Sequence, residues 1–211
     1  MNSLINSIII TAMENIIKIL PNTFIPLFVA INVFLLLPIF ISMTEDMSKP
    51  KKRLVVRDSI LTAMIVSLLF IALGEAIFRI LGITSDDFKI GGGIVLLVFA
   101  ILDLIRHEER RKPDVKMGVV PIGVPLIVGP AVLTTILVLV DHYGIIPTII
   151  SLMFNLFIVW IILMKAERII HFFGKGGIIG ISKVMALLLA SIAIMMIRLG
   201  IENIIKHNIK G

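Results

Sequence analysis

Six apolar runs, each near the length of one bilayer crossing, dominate this chain: Phe24–Met43, Ser59–Phe78, Ile90–Ile105, Val119–Val140, Pro147–Met164 and Gly180–Ile201. Their only charged residues are Glu75, Asp103, and Lys183 and Arg198 near the two ends of the sixth, and Asn155 sits at the middle of the fifth. None of the runs alternates in polarity. A membrane strand would be about 10 residues of alternating character, and lipid offers no partner to an open backbone. Each run is therefore expected to be a helix. The chain is 58% hydrophobic, above the ~45–50% of ordinary globular domains. The expected class is all-α, a polytopic membrane protein with six transmembrane helices.

Charge sets the orientation. With six spans, one side of the membrane holds segments 44–58, 106–118 and 165–183, which carry 14 of the 20 Lys and Arg residues. Basic loops stay in the cytoplasm. The chain is expected in the cell membrane with both termini outside. The net charge of +6 then reports topology and attraction to anionic lipid headgroups, not nucleic-acid binding. The stretch Leu4–Leu20 carries one polar stripe on an apolar helix. It reads as an amphipathic segment, residues 1–22, lying in the interface, with a seventh crossing as the alternative. There is no cysteine, which excludes thiol catalysis and thiolate metal sites. The four histidines, His107, His142, His171 and His207, have no metal spacing. No Ser/His/Asp set shares one depth, so no enzyme, metal or cofactor is expected. The sequence carries no signal for oligomeric state.

The fourth run reads VVPIGVPLIVGPAVLTTILVLV and holds three prolines and two glycines. Pro121 fits a first turn. Pro125 and Pro130 in a helix interior would cost ~3 kcal/mol each, and Gly123 and Gly129 ~1 each. A straight helix would thus forfeit on the order of 8 kcal/mol. The expectation is a discontinuous helix, with its freed backbone groups facing protein or a water-filled cavity. Thr134 and Thr135 follow the break directly. Such a break would bind a small polar solute at the membrane midplane, half-helix N-termini favouring a carboxylate and C-termini a cation or ammonium.

The chain also matches itself at an offset of 92 residues. Pro38 falls on Pro130, Glu75 on Glu167, and Gly82 on Gly174. Glu75 with Arg79, and Glu167 with His171, form matching i,i+4 pairs. Two triplets of spans, residues 23–117 and 118–211, follow. Three is odd, so the second copy must enter from the opposite face, giving an inverted repeat with helices one and four broken.

Three segments carry a resemblance to a known family. VVPIGVPLIVGPAVLTT resembles the fourth-span signature of the MarC-like integral membrane proteins. FKIGGGIVLLVFAILDL (Phe88–Leu104) and GKGGIIGISKVMALLLA (Gly174–Ala190) are similar to that family's third span and to the start of its last. The likeness runs from about Phe28 to the C-terminal region. Where the family has Asn-Pro-x-Gly in span one, this chain has Asn32-Val33-Phe34-Leu35. The resemblance implies two inverted triplets and a carrier for small neutral amino acids such as glycine or alanine, coupled to a proton or sodium gradient. The alternative is a non-transporting membrane scaffold that binds partner proteins or lipids.

The residues expected to touch solute are Asn32, Gly129, Thr134, Thr135 and Asn155. Pro38, Pro125, Pro130, Gly91 and Gly92 are expected to interrupt helices, although Gly91-Gly92-Gly93 also suits close helix packing. Glu75, Glu167 and Asp103 are candidates for an ion relay, against a bland reading as interfacial anchors. The GKGG at 174–177 lacks the spacing of a phosphate-binding loop and reads as a re-entrant turn.

Overall fold

A computed structural model describes residues 18–105 and 127–210. Among them there are seven helices and no strand. Helix α1 covers 18–31 and α2 covers Val33–Thr44. Then come α3 (Lys49–Leu81), α4 (Ser85–Ile105), α5 (Pro130–Tyr143), α6 (Ile145–Met164) and α7 (Ala166–Lys210). Five helical stretches are long and apolar enough to cross a membrane: Lys18–Thr44, Lys49–Gly74, Asp86–Ile105, Ile145–Met164 and Gly176–Lys206. The described part of the fourth run is the shorter apolar helix α5, which starts at Pro130 and not at Val119. Pro121, Pro125 and most of segment 106–118 lie outside the described residues, as does most of the N-terminal segment 1–22. Helix α1 already runs through residue 22, so no helix end marks that boundary.

The expected loops are mostly helix. Segment 44–58 shrinks to residues 45–48, and α3 carries Lys49, Lys51, Lys52, Arg53 and Arg57 on its first turns. Lysine and arginine are good helix formers whose long stems let the charge reach water from a helix. Segment 165–183 is likewise helical apart from Lys165 and a kink at Gly174 (φ 70, ψ 165). A single left-handed glycine does the work assigned to a re-entrant turn at GKGG. Gly82, 92 residues earlier, has the matching φ of 65 and ends α3.

Packing ties the two halves together. Helix α4 lies along α7, and α3 along α6. Two further contacts cross between the halves: α2 packs on α7 and α5 packs on α4. The α4–α7 pair is antiparallel. Gly93 abuts Ala193 and Ile197, Gly200 abuts Ile90 and the carbonyl of Asp86, and Lys183 reaches Asp103 and Leu104. Glycine makes this approach close. A β-carbon on Gly93 would sit 2.8 Å from the Ala193 carbonyl oxygen, and one on Gly200 2.8 Å from that of Asp86. Contrary to the expectation that they interrupt a helix, Gly91 and Gly92 lie inside α4. The helix runs straight through them, because packing supplies what helix propensity lacks.

The candidate site at two helix breaks

The first span is broken at Asn32, whose φ of 43 and ψ of 57 lie in the left-handed region. Asparagine tolerates this conformation better than other residues with a side chain. Its N–H still donates to the Phe28 carbonyl (3.3 Å), and its own carbonyl accepts from Leu35 (2.9 Å). The amides of Val33 and Phe34 are left as helix-start donors with no intrahelical partner. The Asn32 side chain is buried and donates to Ser182 Oγ on α7 at 3.3 Å. Pro38, expected to make this break, instead lies inside α2 with an exposed ring. It removes one ladder bond without ending the helix, so the break falls six residues earlier.

Asn32 thus has two jobs, and substitutions separate them. Asn32→Leu should destabilise the protein by about 2 kcal/mol or more, from the left-handed backbone and the lost hydrogen bond. Asn32→Gly should cost only about 1 kcal/mol, since only the Ser182 bond is lost. Unfolding curves in detergent would check this; equal losses would remove the backbone argument.

The fourth span is broken at Gly129, which is extended (φ −79, ψ 178) and caps α5, with Pro130 as its first residue. That is where proline costs least, and it agrees with the expectation that Pro130 interrupts the fourth span. Val132 and Leu133 N–H groups both donate to the Gly129 carbonyl, at 3.0 and 3.1 Å. Proline has no N–H, so Ala131 is left as the orphan donor of this helix start. The breaks at 32 and 129 are 97 residues apart, against 92 for the positive-φ glycines. The gapless match of Pro38 with Pro130 therefore does not mark equivalent breaks.

The predicted contact residues go to different neighbours. Thr134 is buried, and a β-carbon on Gly92 would overlap its methyl group. Thr135 returns its hydroxyl to the Ala131 carbonyl (2.8 Å). Asn155 is fully buried and donates to the Phe24 carbonyl (3.2 Å) and the Ser151 carbonyl (2.9 Å). Among the described residues no hydrogen bond joins Asn32 to Thr134, Thr135 or Asn155. The two breaks share a relation instead: each half's broken span docks on the other half's last helix, Asn32 against α7 and Thr134 against α4.

The carboxylates serve the ends of the bundle. Glu167 pairs with Lys52 across to α3 at 2.8 Å, and among the described residues makes no ion pair with His171 on its own helix. The Lys52 hydrogen bond and charge, with Lys49 adding, hold this carboxyl below the usual carboxylate range. The contact is therefore fully present above that range and is lost as pH falls through the depressed value. The Asp103 main-chain carbonyl accepts from Lys183, which also reaches the Leu104 carbonyl at 2.8 Å. Lys183 so covers the C-terminal carbonyls of α4, where a cation is favoured. The Glu75 side chain lies outside the described residues.

Sequence reasoning missed a second polar cluster. Lys89, only 8% exposed, bonds Asp86 Oδ1 (3.0 Å) and Asp141 Oδ2 (3.3 Å), and Asn203 Nδ2 donates to Asp86 Oδ1 (2.9 Å). It joins the start of α4 to the ends of α5 and α7. The signal was there in outline: Lys89 directly precedes the third run, and Asp141 directly follows the fourth.

Residues 17–205 match the model of the MarC family integral membrane proteins. A UPF0056 membrane protein of Methanocaldococcus jannaschii is 31% identical over 194 residues, covering 85% of this chain and 94% of the relative. Another from Aquifex aeolicus is 27% identical, over 94% of this chain and 100% of the relative. One from Pyrococcus abyssi is 29% identical, over 90% and 98%. No solved structure matches. A match this long, together with several apolar helices of crossing length, establishes that the chain is an integral membrane protein belonging to the MarC family.

Proposed function

We propose that this protein is a secondary carrier for small neutral amino acids such as glycine or alanine, driven by a proton or sodium gradient and working by alternating access. The observation that carries the reading is the pair of interrupted spans. Asn32 breaks one in left-handed conformation, and Gly129 breaks the other in extended conformation. Both expose helix-start amides where lipid could not satisfy them. A six-span inverted repeat is supported by the crossed packing of α2 on α7 and α5 on α4, by the antiparallel α4–α7 pair, and by the matched glycines 82 and 174. In this reading one triplet rocks against the other around the breaks. The end bearing Lys52–Glu167 and Lys183 is cytoplasmic, its basic residues meeting anionic headgroups, and the Lys89 cluster and both termini lie outside.

Labelled glycine and alanine flux into proteoliposomes, with and without an imposed gradient, tests the proposal. Gly129→Leu should abolish gradient-driven flux while keeping the fold, because φ −79 is open to any residue. Equal flux in both proteins would remove this break from the mechanism. One observation favours the scaffold alternative: the Asn32 amide is already engaged by Ser182. A scaffold predicts no thermal shift with any amino acid, and a partner that co-purifies through the basic end.

A further inference from the structure

Away from the breaks, α6 carries a polar cluster that the carrier reading leaves without a role. Thr23 Oγ1 and Ser151 Oγ lie 2.5 Å apart, and Thr23 also reaches the Leu20 carbonyl at 3.1 Å. A carbonyl can only accept, so Thr23 donates to Leu20 and Ser151 donates to Thr23. The lone pairs of Ser151 Oγ are then unengaged. Asn155 adds a second surplus. Its Nδ2 faces two carbonyls, of Phe24 and Ser151, which fixes the orientation of the amide. Its Oδ1 is buried with no hydrogen-bond partner. Leaving such a group unsatisfied costs roughly 1–3 kcal/mol, and hydrocarbon cannot relieve it.

One other buried side-chain atom among the described residues is in the same condition: Ser67 Oγ, on α3. Helix α3 packs on α6, and Lys52 near its start meets Glu167 just past the end of α6. The two helices are antiparallel, so Ser67 and Asn155 each lie on the order of 20 Å from that contact, at similar depth. What gathers around Ser151 and Asn155 is an excess of neutral oxygen acceptors, with no carboxylate and no cationic side chain bonded to them among the described residues. Hard neutral oxygens suit a small hard cation, and the lack of negative charge argues against a divalent one.

The geometry points to a binding site for a small inorganic monovalent cation, of which sodium is the probe. Asn155 Oδ1 and Ser151 Oγ are its first donors, with Thr23 Oγ1 beside Ser151. Its purpose as a coupling ion rests on the carrier reading; the binding itself does not.

The test measures thermal unfolding of the purified full-length protein in sodium, potassium and choline chloride at equal ionic strength. Sodium should stabilise the wild type saturably where choline does not. Asn155→Leu and Ser151→Ala should lose the sodium response. Asn155→Asp, which keeps the size but gives up the two bonds donated by Nδ2, should lower the half-saturating sodium concentration about tenfold by adding a charge; Ser151→Ala, which leaves those bonds in place, covers the case in which an Asn155 variant fails to fold. Stability that tracks ionic strength alone, or a sodium response unchanged in all three variants, overturns the site. A shift produced by glycine without sodium, and lost in these variants, also overturns it by giving the oxygens to a substrate ammonium. Sodium binding without amino acid flux would sink the carrier and leave the site; flux indifferent to sodium, with no sodium-dependent shift, would do the reverse.

Discussion

Gly93→Leu should disrupt the α4–α7 contact, while Gly91→Leu, two residues away on the same helix, should leave stability near wild type. A β-carbon on Gly93 would lie 2.7 Å from Ile197 Cγ1, 2.8 Å from the Ala193 carbonyl oxygen and 3.2 Å from the Ile197 amide nitrogen. Two of those atoms are backbone and cannot rotate away, so the helices must separate. Overpacking of this kind costs about 3 kcal/mol or more, against ±0.5 kcal/mol for substitutions that touch nothing. Gly91 has no atom within 4 Å of its added carbon and faces outward. Unfolding in a detergent titration measures both. A Gly93→Leu protein as stable as wild type would mean that α4 and α7 are not in this register.

Lys89→Met should be the most damaging charge removal in the described structure. The ammonium is nearly buried and faces two carboxylates, Asp86 and Asp141, whose side chains are 22% and 31% exposed. Removing it leaves like charges facing each other from α4 and α5. Breaking a fully buried pair costs 3–5 kcal/mol; discounted for the partial exposure of the acids, about 2 kcal/mol is expected here. Lys89→Arg, which keeps the charge, should recover most of the loss. Lys89→Met combined with Asp141→Asn should be milder than Lys89→Met alone, because the repulsion is gone. By contrast, Lys52→Met should change stability little, since its partner Glu167 is largely exposed.

These two contacts show where sequence reading reached its limit. Helical spans were legible because apolar length and the need to satisfy every backbone group leave few alternatives. The fourth-span break was legible because Gly129-Pro130 combines a residue that destabilises helix interiors with one that starts helices. The first break was misplaced for a physical reason. Pro38 is the strongest local helix breaker near it, yet its ring faces outward and α2 absorbs one missing hydrogen bond. Asn32 bends the chain with help from Ser182, 150 positions away, and no local signal reports such a partner. For Gly91-Gly92-Gly93 the sequence left break and packing both open, and contact decides for packing at two of them: Gly92 meets Thr134, and Gly93 meets Ala193 and Ile197. The Lys89 cluster draws on three helices and emerges only when they are assembled.

The central claim is that the broken fourth span faces a solute path. The chain has no cysteine, so Thr134→Cys creates a single reactive thiol just beyond the break, at little cost in size. In proteoliposomes, a membrane-impermeant thiol reagent should label it from one side, and saturating glycine or alanine should slow that labelling several-fold. No labelling from either side, or a rate that no small neutral amino acid changes, would contradict the account.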